Sequence, residues 1–406
     1  MPAKGAHVDS GTHPDGSRPD VVVVGGGLAG LAVAWRSAQR GLRVTLLDPA
    51  PGGGASHAAA GMLAPVTEVG YGEEPLLRLS LDSAARYPGF VAEVEQAAGQ
   101  SVGYRQEGTL VVALDADDRV ALGELYRFQR SLGLAVVELS GRDCRRYEPL
   151  LAPGVRGGLL VEGDHSVDNR RLCAALLVAA ARAGVEVRRQ RAAGLAQGRD
   201  GRVVGVQVAG GELLSTGTVV LAAGCWSGDL AGLPPGSVPV RPVKGQILRL
   251  RVPPALRGAL TRTVRGTVRG SRVYLVPRAD GEVVVGATME EQGLDTRVTA
   301  GAVYELLRDA HELLPVVTEL ELVESLAGLR PGTPDNAPLL GPGPLPGLVL
   351  ATGHHRNGVL LTPVTGDAIA GLLADGTLPQ VAAPFTPGRF GVTVPPPHGE
   401  PVRRPA

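Results

Sequence analysis

The feature that most constrains this chain is an apolar tetrapeptide that runs directly into a glycine-rich turn. Residues 21–24 are four valines, and Gly25, Gly27 and Gly30 follow at the spacing Gly-x-Gly-x-x-Gly. Four β-branched residues favour a buried strand. Glycines at these positions allow a tight turn, close approach of backbone N–H groups to a pyrophosphate, and close packing of helix on strand. The motif predicts a dinucleotide-binding unit.

The residues that follow the turn complete this unit. A helix is predicted over Leu31–Arg40, and a short strand over residues 44–47 leads to Asp48. Asp48 lies 18 residues after Gly30, near the spacing of about 20 at which an acid accepts the ribose hydroxyls. The helix N-terminus presents unpaired N–H groups and the positive end of its dipole to phosphates. The complete unit favours a bound dinucleotide over a glycine-rich turn without a cofactor.

Length and charge narrow the class of protein. The 406 residues exceed the roughly 250–300 at which one hydrophobic core stops growing, so two domains are expected. The hydrophobic fraction of 44% and the charged fraction of 20% are typical of a globular protein. The net charge of zero gives no indication of nucleic acid or of an anionic membrane. No apolar run approaches the ~20 residues of a membrane span.

The termini and the cysteines indicate a cytoplasmic protein. The first 18 residues lack the apolar centre of a signal peptide, and we expect a disordered leader there. Cys144, Cys173 and Cys225 form no C-x-x-C pair, which favours reduced thiols. The tail from residue 377 is rich in proline and is expected on the surface or disordered.

Periodicity predicts an α/β part that is interrupted by an antiparallel sheet. Helices are predicted at about 75–98, 117–132, 169–183 and 299–313. Strands are predicted at 107–114, 185–189, 203–208 and 218–223. From residue 240 the strands alternate strictly, at 246–251, 262–268, 272–277 and 282–287, and Asp280-Gly281 marks a hairpin.

Two runs of small residues suit a close approach to a ligand. Residues 52–62 are mostly glycine and alanine, with a flexible linker as the alternative. The apolar strand at 218–223 ends in Ala222, Ala223 and Gly224, and we expect it to pass under the cofactor. The alternative for this strand is an ordinary buried parallel strand.

Several further motifs carry a family resemblance. They are Ala-Ala-Ala-Gly-Met-Leu (58–63), Glu-Gly-Thr-Leu (107–110), Val-Lys-Gly-Gln (243–246), Tyr-Leu-Val-Pro-Arg (274–278), Val-Val-Gly-Ala-Thr-Met-Glu (284–290), Leu-Ala-Gly-Leu-Arg-Pro-Gly-Thr-Pro-Asp-Asn (326–336) and Gly-His-His-Arg-Asn-Gly-Val-Leu-Leu-Thr-Pro (353–363). Over residues 19–375 the chain resembles the D-amino acid oxidase superfamily of flavoproteins, and within it the glycine oxidases of thiamine biosynthesis.

The resemblance implies an α/β fold in which a Rossmann-like FAD-binding domain of the glutathione-reductase type carries an inserted antiparallel-sheet substrate domain. The FAD-binding domain is expected at 19–100, 158–235 and 326–376, the substrate domain at 101–157 and 236–325, a leader at 1–18 and a proline-rich tail at 377–406. The family implies noncovalent FAD. The implied cofactor residues are Gly25, Gly27, Leu28, Ala29, Gly30, Asp48, Pro49, Ala55, Ser56, Ala60, Gly61, Met62, Ala193, Gly224, His354, His355, Arg356, Asn357, Gly358, Val359 and Leu360.

The resemblance also implies a substrate pocket. Arg330 matches the arginine that binds the substrate carboxylate, Arg356 and Tyr274 match two further pocket residues, and Met62 and Met289 match apolar walls. The family commonly has histidine at the position of Arg272 and an aromatic residue at that of His355. These departures bear on the shape and charge of the pocket entrance.

The residues alone give weaker support for these roles. A planar guanidinium binds a carboxylate through two parallel hydrogen bonds, and Arg330 precedes the rigid turn Pro331-Gly332. Most of the arginines are nevertheless expected to be solvated surface charges. No metal-ligand spacing and no Gly-x-Ser-x-Gly motif is present.

The implied reaction is the FAD-dependent oxidative deamination of glycine. A hydride passes from the substrate Cα to flavin N5 without a protein acid or base, and the products are the imine or glyoxylate, ammonia and hydrogen peroxide. The imine would supply the thiazole of thiamine, and relatives are often homo-oligomers. Rival interpretations are a sarcosine or D-amino acid oxidase, an FAD-dependent D-amino acid dehydrogenase, or a non-catalytic module that binds flavin or NAD. No cysteine follows Cys225, so flavin attached at 326–332 is not expected.

Overall fold

The computed structural model describes residues 18–392. The strands in this part of the chain are β1 (Val21–Val24), β2 (Val44–Leu47), β3 (Met62–Leu63), β4 (Thr109–Ala113), β5 (Val137–Ser140), β6 (Gly157–Val161), β7 (His165–Ser166), β8 (Glu186–Arg188), β9 (Ala192–Gln197), β10 (Val203–Val208), β11 (Leu213–Ser215), β12 (Val219–Leu221), β13 (Arg241–Arg251), β14 (Thr263–Val268), β15 (Ser271–Pro277), β16 (Glu282–Gly286), β17 (Glu321–Gly332), β18 (Leu339–Pro342) and β19 (Leu348–Thr352).

The helices are α1 (Leu28–Gln39), α2 (Gly54–Ala58), α3 (Glu74–Ala98), α4 (Ala116–Ser131), α5 (Gly141–Tyr147), α6 (Asn169–Arg182), α7 (Ala300–Leu313) and α8 (Thr362–Asp375). The four predicted long helices, α3, α4, α6 and α7, are confirmed to within one residue at each end. Helix α1 begins three residues earlier than predicted, directly at the glycine turn. None of the helices in residues 18–392 has the length and apolar character that a bilayer crossing requires.

The first sheet has six strands in the order β18-β19-β12-β1-β2-β8, and its neighbours are parallel except for β18 and β19. Val21 and Val23 pack against helices α1, α3, α6 and α8. Val22 and Val24 face the small sheet formed by β9, β10 and β11. The strand is therefore buried on both faces, as a continuous apolar run predicts.

The second sheet has eight strands in the order β17-β13-β16-β15-β14-β4-β6-β5. The predicted antiparallel sheet and its hairpin at Asp280-Gly281 are confirmed: β13 pairs with β16, β16 with β15, and β15 with β14, all antiparallel. The pair β4 and β14 is parallel, which the sequence did not indicate. Helix α7 covers one face of this sheet. The other face carries Ile247, Tyr274 and Val284.

The predicted domain boundaries stay a prediction, although β17 runs continuously through residue 326, where one boundary was placed. The prediction of a surface tail is wrong for its first part: Ala382 and Phe385 are buried in the helical core because their apolar side chains pack there. Residues 1–17 of the predicted leader and 393–406 of the tail lie outside the described residues.

Candidate active site

A cavity of about 610 Å³ opens beside the carboxyl ends of β1, β2 and β12 and beneath the inner face of the large sheet. Ligands of α/β proteins commonly bind beyond the carboxyl ends of the parallel strands, and pockets of this size hold small molecules. The cavity is therefore where a dinucleotide and a substrate are expected to meet.

The glycine turn forms one end of this cavity. Gly25 has φ +109°, and a Cβ there would lie 2.3 Å from the carbonyl oxygen of Ala222. The N-cap residue of α1, Gly27, has no side chain to cap the helix, and no acidic residue occupies the first turn. The Leu28 N–H donates to Ser56 Oγ at 3.0 Å. The remaining N–H groups of this turn are suited to a phosphate.

Asp48 lies at the end of β2, on the cavity wall. Its Oδ2 accepts a hydrogen bond from the Gly26 N–H at 2.6 Å, and its Oδ1 accepts one from the Ala50 N–H at 2.7 Å. These bonds fix the carboxylate, and each oxygen keeps a second lone pair for a hydroxyl donor. This arrangement fits the ribose of a dinucleotide.

The run of small residues at 52–62 forms α2 and β3 and is held by two buried polar side chains, so the linker alternative is wrong. The Arg278 guanidinium donates to the carbonyls of Ala60 and Val167, both at 2.7 Å, and Asn169 donates to the carbonyl of Ser56 at 2.7 Å. Burial lowers the pKa of Arg278 to about 10, so its charge persists at neutral pH.

The loop after β19 brings two neutral histidines to the cavity. His354 Nε2 lies 2.9 Å from Thr365 Oγ1, and burial lowers its pKa to about 4. His355 has φ +47°, and its buried Nδ1 has no hydrogen-bond partner among the described residues. Burial, with help from Arg356 and Arg330, lowers the pKa of His355 to about 4. An orphaned buried nitrogen on a cavity wall fits a bound polar ligand.

Arg330 extends from β17 into the cavity. Its Nη1 donates to the carbonyls of Thr288 at 3.2 Å and Lys244 at 3.4 Å, and within the described residues it forms no ion pair. Its guanidinium lies against Gly245, where a Cβ would be 2.3 Å from Nη1. The group is held in place while its charge stays unneutralised.

Tyr274 and two arginines that bind the Glu68 carboxylate complete this end of the cavity. Burial raises the pKa of Tyr274, although Arg330 lowers it, and the phenol stays protonated at neutral pH. Glu68 binds the Arg265 guanidinium at 2.7 Å and Arg356 Nε at 2.8 Å. Burial raises the pKa of Glu68, but these two cations lower it more, so the carboxylate is charged.

The structure places nearly all the predicted site residues on this one cavity. Those that line it are Gly25, Gly27, Leu28, Ala29, Asp48, Pro49, Ala55, Ser56, Ala60, Gly61, Met62, Ala193, Gly224, Tyr274, Met289, Arg330, His354, His355, Arg356, Asn357, Gly358 and Val359. Two of the predicted residues, Gly30 and Leu360, do not line it. A Cβ at Gly30 would lie 1.9 Å from the Gly25 carbonyl oxygen, and Leu360 points into the helical core.

Sequence reasoning missed several residues of the cavity. Glu68, Arg265 and Gly245 were not predicted as site residues, and Arg272 was noted only as a departure from the family. A glycine inside a strand often marks a close approach, so Gly245 was detectable. Glu68 gave no local signal, because its partners are far away in the sequence.

Within residues 18–392 no group of three or more potential metal ligands is present. The three cysteines are buried there, and none lines the cavity.

Comparison with known proteins identifies the class of protein to which the chain belongs. The sequence pattern of the family described as FAD dependent oxidoreductase matches residues 20–372. The glycine oxidase of Geobacillus kaustophilus is 34% identical over 91% of this chain and 96% of its own length, and its crystal structure superposes with a TM-score of 0.83 over 91% of this chain and 98% of that one.

The bifunctional protein ThiO/ThiG of Synechocystis sp. is 36% identical over 93% of this chain. The match covers 55% of that protein, so this chain spans about half the length of the first such relatives. The hydrogen cyanide synthase subunit HcnC of Pseudomonas aeruginosa is 32% identical over 91% of this chain and 96% of its own length.

The fold and the cavity define a dinucleotide-binding oxidoreductase. The chain belongs to the D-amino acid oxidase family of FAD-dependent oxidoreductases. The residues present fit FAD: an uncapped helix N-terminus for the pyrophosphate, a fixed carboxylate for the ribose, and the loop after β19 for the ring.

Proposed function

We propose that this protein catalyses the FAD-dependent oxidative deamination of glycine, through the imine, to glyoxylate, ammonia and hydrogen peroxide. The observation that carries the proposal is Arg330: its guanidinium lies in the cavity, fixed by two carbonyls, with no ion pair among the described residues. A planar guanidinium in this state is suited to bind a substrate carboxylate with two parallel hydrogen bonds. The similarity to glycine oxidases supports the same substrate class.

Arg330 would fix the carboxylate end of glycine and thereby the direction of its Cα–H bonds. The Tyr274 hydroxyl is protonated and is available to donate a further hydrogen bond to the same carboxylate. Met62 and Met289 also line the cavity. Orientation of this kind lowers the barrier without a protein acid or base at the reacting carbon.

FAD, when bound, supplies the two-electron acceptor. His354 and His355 are both neutral at pH 7, so the loop that would wrap the ring adds no positive charge from imidazole. The substrate amine must be neutral to lose a hydride from its α-carbon, and the surrounding guanidiniums favour that form by repelling an ammonium group.

Three alternatives use the same cavity. Sarcosine and small D-amino acids present one carboxylate and one amine, as glycine does. A D-amino acid dehydrogenase would differ only in passing electrons to an acceptor other than dioxygen. The similarity to the HcnC subunit keeps a role in cyanide formation as a competing proposal. Glycine is preferred because the similarity to glycine oxidases supports it.

The wider role rests on the relatives named ThiO. We propose that the imine supplies the thiazole moiety of thiamine, in a cytoplasmic and homo-oligomeric protein. Deleting the coding sequence in its source organism would test this role: growth that needs no added thiazole would contradict it.

The experiment is anaerobic mixing of the FAD-loaded protein with glycine while the flavin absorption band is recorded. We expect bleaching, and recovery on admitting air with one hydrogen peroxide per cycle. Bleaching by sarcosine or D-alanine but not by glycine would move the activity to the neighbouring oxidases. Recovery only with an added quinone or dye would identify a dehydrogenase.

Arg330→Ala tests the assigned carboxylate contact. We expect the glycine concentration for half-maximal bleaching to rise at least about a hundredfold, because a charge-assisted bidentate contact is lost. The FAD affinity should stay unchanged, since Arg330 is assigned to substrate. A normal half-maximal concentration would overturn the assignment.

A further inference from the structure

A buried polar cluster lies beside Arg330 and takes no part in the cavity wall. Its centre is Lys244 on β13, whose side chain is only 1% exposed, and neither Lys244 nor its partners Gln246 and Glu290 line the cavity. The Lys244 ammonium lies 3.6 Å from Glu290 Oε2 and 3.9 Å from Asp295 Oδ2. Taking an ammonium group out of water is costly unless carboxylates neutralise it, so these two acids are what makes the buried position tenable.

Glu290 is fixed to β13 through both its backbone and its side chain. Its N–H donates to the Lys244 carbonyl and its carbonyl accepts the Lys244 N–H, both at 2.9 Å. Its Oε1 accepts hydrogen bonds from Gln246 Nε2 at 2.8 Å and from Thr288 Oγ1 at 2.5 Å, while Oε2 faces the Lys244 ammonium. Of these partners only the Lys244 ammonium carries a charge, so it is the group that neutralises the carboxylate.

Gln246 fixes the two ends of the segment that contains Glu290. Its N–H donates to Thr288 Oγ1 and its Oε1 accepts the Thr299 N–H, both at 2.8 Å. Between these points lies Met289, which lines the cavity although 70% of it is exposed. Residues 288–290 lie beyond the end of β16, so side chains of β13 hold them where the regular ladder has ended.

The same segment holds the guanidinium of Arg330. Nη1 donates to the carbonyl of Thr288 at 3.2 Å and to that of Lys244 at 3.4 Å. One of these carbonyls therefore belongs to the fixed segment and the other to Lys244 itself. A movement of Glu290 away from β13 would carry the neighbouring Thr288 carbonyl with it and release one side of the guanidinium.

We propose that Lys244 is a positioning residue for Arg330. Its buried ammonium holds Glu290, and through Glu290 the Thr288 carbonyl, so that the guanidinium presents its free N–H groups to the substrate carboxylate. The inference rests on the proposed function, because the carboxylate of glycine is the assigned partner of Arg330. Lys244 acts only through other residues, since it does not reach the cavity.

Lys244→Met tests this role with acetate, a carboxylate that the flavin cannot oxidise. The variant leaves the Glu290 and Asp295 carboxylates without their buried cation, and both are partly exposed and can turn toward water. We expect the dissociation constant of acetate, measured with the FAD-loaded protein from the flavin absorption band, to rise about tenfold or more. The dissociation constant of FAD should stay within about twofold. An unchanged acetate affinity would overturn the proposal.

A matched pair of substitutions tests the carboxylate partner. Glu290→Gln should weaken acetate binding about as much as Lys244→Met does, because the ammonium loses its nearest counter-charge. Glu291→Gln removes the same charge from the next residue, which is exposed and lies 3.4 Å from Arg241. This control should bind acetate within about twofold of the unaltered protein. Equal effects of the two substitutions would refute a specific role of Glu290, and Glu290→Gln also decides the proposal if Lys244→Met does not fold.

A double-mutant cycle distinguishes positioning from general stabilisation. If Lys244 acts through Arg330, Lys244→Met should cause no further loss of acetate affinity in a protein that already carries Arg330→Ala. The same further loss with and without Arg330 would show a structural role and overturn the proposal. With glycine, Lys244→Met should raise KM about tenfold and leave kcat within about threefold, because binding of the carboxylate is what is lost.

The acetate measurements separate this proposal from the function itself. If they give the expected result but glycine does not bleach the flavin, the proposed oxidation of glycine is wrong and the role of Lys244 in carboxylate binding stands. If Arg330→Ala weakens acetate binding and Lys244→Met does not, the carboxylate assignment stands and the role of Lys244 is refuted. If Arg330→Ala binds acetate as the unaltered protein does, both assignments are wrong.

Discussion

At the scale of single residues, the function of each cavity arginine depends on which acceptors reach it. Arg265 and Arg356 each form an ion pair with Glu68. Arg330 has carbonyl partners and, among the described residues, no carboxylate partner, so its charge is available to a ligand. The same side chain is paired with a carboxylate in one case and unpaired in the other, so residue type alone does not assign the role.

Gly245 is the residue that makes room for Arg330. A Cβ at position 245 would lie 2.3 Å from Arg330 Nη1, so Gly245→Ala must displace the guanidinium. We expect the apparent KM for glycine to rise about tenfold or more, because a shift of this size misplaces the carboxylate. Steady-state kinetics with the FAD-loaded protein would measure it. Gly154→Ala, where a Cβ meets nothing within 4 Å, should leave KM unchanged; equal effects would refute the steric argument.

At the scale of elements, local signals predicted much of the fold. Helix α6 was found within one residue because Asp168 caps it, accepting the N–H groups of Arg170 and Arg171. Strand β9 was missed because Ala192–Gln197 lacks the β-branched residues typical of strands. The parallel pairing of β14 with β4 joins segments about 150 residues apart, and no local pattern specifies such a contact.

Arg278 links β15 to the segment that forms the cavity floor. Arg278→Met would leave the carbonyls of Ala60 and Val167 without their buried donors. We expect the free energy of unfolding to fall by about 3 kcal/mol and the dissociation constant for FAD to rise. Urea unfolding and FAD titration would measure both. The exposed Arg269→Met should change stability by about 0.5 kcal/mol or less, and a similarly small loss in Arg278→Met would contradict the structural role.

At the scale of the whole molecule, the cavity joins residues that are distant in sequence. The glycine turn, β15, β17 and the loop after β19 all line it. The family resemblance was able to indicate these segments because each carries its own motif. It did not indicate the Glu68 ion pairs, since these depend on how side chains meet across elements. Those contacts are visible only in the structure.

The buried histidines of the cavity make the stability of the folded protein depend on pH. The pKa of His354 is lowered to about 4 in the folded protein, from 6.5 when exposed. Between these values the unfolded chain binds more protons than the folded one, so stability falls as the pH drops. Asp164 acts in the opposite direction: burial raises its pKa to about 6, despite hydrogen bonds from Thr67 and Val66, so acid favours its folded form. His355, whose pKa is also lowered to about 4, acts in the same direction as His354, so the pH dependence of the unaltered protein mixes all three effects.

A variant isolates the histidine. On acidification from pH 7.5 to pH 5.0, His354 should lower the free energy of unfolding by about 2 kcal/mol. His354→Gln should remove that part of the loss. Asp164 contributes equally to both proteins. Urea unfolding at the two pH values, with the same excess of FAD, would measure the difference. His311→Gln, at a residue away from the cavity, should behave as the unaltered protein does. If His354→Gln loses as much stability on acidification as the unaltered protein, the predicted contribution of His354 is wrong.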